Sequence, residues 1–73
     1  MQDSSYRKVL GTRIRKFRSQ KGWSQEEFAD LCDINRSYMG RIERGELNLT
    51  LDSLQKVAKG LDTTVAVLLK GIL

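Results

Sequence analysis

At 73 residues the chain has room for one domain, because independent domains run from ~50 to 200 residues and a chain this short cannot enclose a second core. Its 40% hydrophobic content excludes the disordered class, while one cysteine and no histidine exclude an intrachain disulfide, the commonest zinc ligand and the usual general base near neutral pH, so metalloenzymes and His-dependent hydrolases fall away. The net charge of +4 is the sum of +6 over residues 1–23, −4 over 24–34, +2 over 35–44 and zero over 45–73, so two basic segments flank an acidic one.

Apolar residues recur at three and four rather than two, and no proline interrupts them, which predicts an all-α chain. Tyr6, Leu10, Ile14 and Phe17 give a first helix an apolar face, with Arg13, Arg15 and Lys16 pointing elsewhere into solvent. Gly22 should end it in a left-handed conformation. Ser24 with Glu27 three residues later is a capping box, and Trp23 with Phe28 occupies the two positions of a hydrophobic staple. A second helix therefore starts at Ser24, with Phe28, Leu31 and Cys32 as its buried stripe and Ala29 where a neighbour could approach closely. Cys32 reads as a small buried hydrophobe. Asp33 breaks the stripe and Asn35 is a good N-cap for a third helix, so only a tight turn separates the two.

In the third helix Ile34, Tyr38, Met39 and Ile42 share one side, while Ser37, Arg41 and Arg44 step along the other and Gly45 closes it. Leu49, Thr50 and Leu54 repeat staple and cap for a fourth helix with Leu51, Leu54, Val57, Ala58 and Leu61 on its apolar face. Thr64 caps a fifth carrying Val65, Leu68, Leu69, Ile72 and Leu73. This last segment is apolar nearly all round, which a lone surface helix should not be.

Two short helices joined by a tight turn, the second presenting basic and small polar side chains, is the helix-turn-helix arrangement, spanning about residues 24–45. Bases in the major groove are read from the first turns of such a helix, and phosphates are held around it. Asn35, Arg36 and Ser37 stand at that first turn, with Arg41 one turn later. Gly40 costs the helix roughly 0.8 to 1 kcal/mol relative to alanine. Either it lets backbone or neighbouring side chains approach a duplex, or it permits close helix packing.

These residues resemble the xenobiotic-response-element or lambda-repressor-like helix-turn-helix family over about Val9 to Leu69. The resemblance rests on Arg18, the Ser24–Ala29 run SQEEFA, the Ile42–Gly45 run IERG and the leucine, lysine and alanine spacing of the fourth helix. Within the family the chain is most similar to the controller proteins of restriction-modification systems, through Arg36, Ser37 and Tyr38 followed by Glu43, Arg44, Gly45, Asn48 and Thr50. Many members have glycine where this chain has Asp33, a residue that tolerates a left-handed backbone better than most. The resemblance implies a compact five-helix domain in which Asn35, Arg36, Ser37 and Arg41 face base edges. It also implies that Gln25, Tyr38, Arg44, Asn48, Thr50 and Ser53 hold phosphates, and that Arg18 and Glu43 pair inside the domain. A phosphate contact is the other reading of Arg18.

The expected function is a transcriptional regulator that binds a double-stranded operator, with no catalytic residues, no metal, no cofactor and no small-molecule ligand. A phage-type repressor, an antitoxin or a protein-interaction module on the same fold are the alternatives. Activation would require RNA polymerase as a further partner, and no residue announces that contact. No stretch approaches ~18 consecutive apolar residues, and residues 1–7 are polar rather than signal-like, so no membrane association and a cytoplasmic setting are expected. A core this small gains only ~3 to 5 kcal/mol, and natural examples add a disulfide, a metal or a partner subunit. The last is the one available here. A homodimer through residues 64–73 is therefore expected, with Val67, Leu68, Leu69, Ile72 and Leu73 as contact candidates.

Overall fold

Side chains that take up free backbone N–H groups set the starts of four helices. The computed structural model describes residues 5–72, which form α1 (Ser5–Gln20), α2 (Gln25–Leu31), α3 (Arg36–Arg44), α4 (Leu51–Gly60) and α5 (Val65–Leu69), with no strand among the described residues. Ser24, Asn35, Thr50 and Thr64 are the N-caps of α2, α3, α4 and α5, each accepting from amides two or three residues on. At α2 the capping box is complete in both directions, and Trp23 stacks on Phe28 with ring centroids 5.8 Å apart. Gly22 (φ 79°) and Gly45 (φ 72°) leave α1 and α3 in the left-handed region, where a Cβ is costly.

Every helix contributes to one core. Ile14 of α1, Phe28 of α2, Met39 and Ile42 of α3, Val57 of α4 and Leu68 of α5 are its fully buried large side chains. Two close approaches hold the helices at short range. A Cβ at Gly11 would lie 2.5 Å from the Ile42 carbonyl oxygen, so α1 crosses α3 nearly backbone to backbone, and one at Gly60 would lie 2.5 Å from the Cys32 sulfur. Among the described residues no helix is long and apolar enough to cross a membrane.

Several sequence expectations need correction. Leu31 is 54% exposed and Leu51 65% exposed, so neither belongs to the core. The buried arc of α2 runs through Phe28, Ala29 and Cys32, and Leu31 lies to one side of it. Leu51 is the first residue of α4, one turn before the core begins at Leu54. Helix α5 ends at Leu69, so Ile72 follows in a turn, and Leu68 is fully buried within its own domain rather than free for a partner. Leu73 lies outside the described residues. Arg13 is not simply solvated, because its Nη1 donates to the carbonyls of Leu68 at 2.9 Å and Lys70 at 2.7 Å and so ties α1 to the end of α5.

Candidate nucleic-acid interface

The helix-turn-helix geometry is fixed by three local devices. Asp33 takes φ 59° in the turn, the Ile34 amide reaches back to the Ala29 carbonyl at 2.9 Å, and the Asn35 side-chain oxygen then accepts from Ser37 and Tyr38 to start α3. These put α3 across α2 with Met39 and Ile42 down and Arg36, Ser37, Arg41 and Arg44 exposed.

A buried ion pair braces α3 from behind. Arg18 donates from Nε to Glu43 Oε2 at 2.7 Å and from Nη2 to Glu43 Oε1 at 3.0 Å, and its Nη1 donates to the Trp23 carbonyl at 2.8 Å. The side chains of Arg18 and Glu43 are 12% and 3% exposed. Gln25 completes the cluster by donating from Nε2 to Glu43 Oε1 at 3.1 Å. The carboxylate thus joins α1, α2 and α3 at one point, and fork-to-fork pairing of this kind fixes orientation as well as charge. Gly40 lets the Gln25 side chain of α2 lie close against α3: a Cβ there would meet the Arg44 guanidinium at 3.1 Å and the Gln25 amide oxygen at 3.3 Å. Of the two readings of Gly40, close packing within the domain is the one this geometry supports, since the glycine is buried against the Gln25 side chain of α2.

Beside α3 runs an open groove. Asn35, Ser37, Tyr38 and Arg41 form one side of it and Ser53 and Lys56 of α4 the other. Ser53 Oγ lies 3.4 Å from the Tyr38 hydroxyl, and its amide donates to Thr50 Oγ1 at 3.0 Å. The rim therefore carries hydroxyls and the cations of Arg41 and Lys56, with the Asp33 carboxylate of the turn as its one anion, and the hydroxyls and cations are suited to an anionic backbone.

Not every expected contact residue is free to act as the sequence suggests. Asn35 spends its side-chain oxygen on the cap, which leaves its amide NH2 for another partner. Gln25 is half-buried and turned toward Glu43 rather than outward. Thr50 is occupied as the N-cap of α4, and Asn48 accepts from the Tyr6 hydroxyl. Two arginines are paired on the surface: Arg36 with Glu26, and Arg44 with Glu46 at 2.8 and 3.1 Å. The Arg44 guanidinium holds the Glu46 carboxyl below its ordinary range, and the carboxylate in turn raises Arg44. The Ser24 amide and hydroxyl lower Glu27 in the same direction. Burial pushes the Cys32 thiol up to about 11, in keeping with a packing role.

A family model described as helix-turn-helix matches residues 14–68, from the buried Ile14 to the buried Leu68. The chain belongs to the helix-turn-helix family. It is 41% identical over 59 residues to a hypothetical transcription factor of Neisseria meningitidis, spanning 81% of this chain but only 56% of that protein. Among solved structures, the restriction-modification controller protein C.AhdI from Aeromonas hydrophila is 41% identical with a TM-score of 0.81, over 84% of this chain and 92% of that one. The biofilm regulator SinR, in complex with DNA, is 37% identical with a TM-score of 0.79, over 84% of this chain and 98% of that one.

Residues missed by sequence reasoning fall into two groups. Lys56 enters the groove one turn after Ser53, a spacing visible in the sequence once Ser53 is placed. Glu26, Glu46 and Tyr6 engage expected contact residues through tertiary placement or short loops. Only the pair Arg44 and Glu46, two residues apart, carried a local signal.

Proposed function

We propose that the chain is a sequence-specific duplex-DNA-binding transcriptional regulator of the restriction-modification controller type, acting as a dimer on a pseudo-palindromic operator at its own promoter. The observation that carries this reading is the exposed side of α3, where Arg36, Ser37, Arg41 and Arg44 stand together on a helix pinned from behind by the Arg18–Glu43 pair. A braced helix with exposed polar side chains at its first turns can enter the major groove as a unit, and arginine there matches the paired acceptors of guanine with the donors that its surface carboxylate partner leaves free. Tyr38, Ser53 and Lys56 beside it, with Arg44 at its far end, supply backbone contacts that set register. Asn48 and Thr50 lie in the loop leading to α4, with the capping and tyrosine contacts already described.

The dimer rests on the residues of the C-terminal segment that the domain leaves uncovered. Val67 is 45% exposed, while Leu69 and Ile72 are half-buried. An isologous contact through Val67, Leu69 and Ile72 would cover this surplus and place two copies of α3 on one side of the duplex. Half-sites roughly 34 Å apart would then be read in successive grooves. RNA polymerase enters as a partner wherever such a complex activates transcription.

Titration of wild type, Arg36→Ala and Arg44→Ala on a duplex selected from a randomised library, and on its permuted sequence, tests the reading. Arg36→Ala should cost ~1 to 3 kcal/mol on the selected duplex and far less on the permuted one. Arg44→Ala should weaken both alike and reduce the salt dependence by about one counterion. Equal losses on both duplexes for Arg36→Ala would remove it as a base reader.

A further inference from the structure

Glu26 is an unexpected residue to find beside the groove-facing start of α3. A carboxylate next to a polyanion repels it, and as one of two acidic residues in the first turn of α2 Glu26 makes only the small contribution of a charge at a helix start. The cap of α2 is completed by Glu27, whose side chain bonds the Ser24 amide. The pair that Glu26 makes with Arg36 is 62–63% exposed on both sides, and exposed pairs contribute little to stability. What the pair does is local: it ties the arginine at the first turn of α3 to the first turn of α2, across the helix-turn-helix.

Resting on the DNA-binding reading above, we propose that Glu26 is a specificity-determining residue that reads sequence together with Arg36. A guanidinium on a free four-bond stem sweeps a wide volume and can settle on any phosphate. Held at one nitrogen by Glu26, it keeps donors for the O6 and N7 acceptors of a guanine and loses its freedom to follow the backbone. Glu26 thus favours a G·C pair at the site of Arg36 by holding the guanidinium where a guanine can take it and away from alternative backbone placements. Its effect on discrimination is exerted through Arg36, so it vanishes when Arg36 is removed.

The test is a double-mutant cycle of Glu26→Gln and Arg36→Ala, titrated against the duplex selected by the wild type from a randomised library and against its permuted sequence. Melting temperatures of all four proteins serve as the structural control. Glu26→Gln should bind the permuted duplex more tightly, gain nothing on the selected one, and so lose about tenfold in the ratio of the two affinities. In the Arg36→Ala background the same change should leave the ratio unaltered. Equal gains on both duplexes, which mere charge repulsion would produce, or an undiminished loss without Arg36, would overturn the role of Glu26 alone. A ratio unaffected by Arg36→Ala itself would instead overturn Arg36 as the base reader, and this inference with it.

Discussion

Removing one half of the Arg18–Glu43 pair tests the brace that holds α3 in place. In Glu43→Gln the side chain keeps its shape but loses its charge, leaving an arginine that is 12% exposed with no anion within the 2.7 and 3.0 Å contacts it now makes. A guanidinium at that depth cannot recover its hydration without opening the junction of α1, α2 and α3. Breaking one side of a buried pair costs ~3 to 5 kcal/mol. A domain of 73 residues has a total stability of only about 4 to 11 kcal/mol. At ~4 to 8 °C per kcal/mol for a domain this small, even a loss of ~3 kcal/mol lowers the melting temperature by roughly 12 to 24 °C. Thermal and urea unfolding followed by far-ultraviolet circular dichroism would measure it, with Arg18→Met as the reciprocal variant. The double replacement Arg18→Met with Glu43→Leu should cost less than the two single losses added, because no lone charge remains buried. Melting of either single variant within error of wild type would refute the reasoning and make the pair dispensable to the fold.

Gly11→Ala should destabilise by ~1 to 3 kcal/mol in the same assay despite alanine's better helix propensity, because its Cβ would press on the carbonyl oxygens of Ile42 and Glu43, which are backbone and cannot swing aside; a stabilised variant would contradict the close crossing of α1 and α3. Cys32 should react with a thiol reagent at mildly alkaline pH far more slowly in the native state than in urea, since burial both shields it and raises its pKa to about 11; equal rates would place it at the surface. Glu27 has its carboxyl held below the ordinary 4.5 by the Ser24 cap, so the stabilisation it gives is present above 4.5 and disappears as pH falls through the lowered value. Glu27→Gln, which removes the charge that the Ser24 backbone amide binds, should therefore lower stability near neutral pH and lose that effect in acid, and a loss that grew toward low pH would reverse the sign of that linkage.

The local part of this structure was legible because caps, staples and left-handed turns are written in adjacent residues. Ser24 with Glu27, Trp23 with Phe28, Gly22, Asn35 and Thr64 each identify a boundary within five positions of sequence. Asp33 needed one step more, a judgement that aspartate tolerates the left-handed turn, and it stands there at φ 59°. The partnership of Arg18 with Glu43 came from resemblance, since no spacing within one helix links residues 25 apart. Burial of the ends of short helices was not legible. Periodicity assigned Leu31 and Leu51 to the core, but which residues of a short helix are covered depends on where its neighbours sit: Leu31 lies to one side of the arc through Phe28, Ala29 and Cys32, and Leu51 stands one turn before the first buried residue of α4, Leu54. Leu68 and Leu69 were indistinguishable by pattern for the same reason, and only the packing of α5 against α1 and α4 separates the buried one. The occupied state of the interface was hidden as well. Asn35, Gln25 and Asn48 look like free polar groups in sequence, and each already has a partner inside the domain.

Selection of duplexes from a randomised library by the purified chain, followed by sedimentation of the protein alone and with the recovered duplex, addresses the central claim most directly. The account predicts a two-fold symmetric motif whose half-sites lie about 34 Å apart, bound by two chains, with a single half-site bound poorly. Recovery of no enriched sequence, or full-affinity binding of one chain to one half-site, would contradict it.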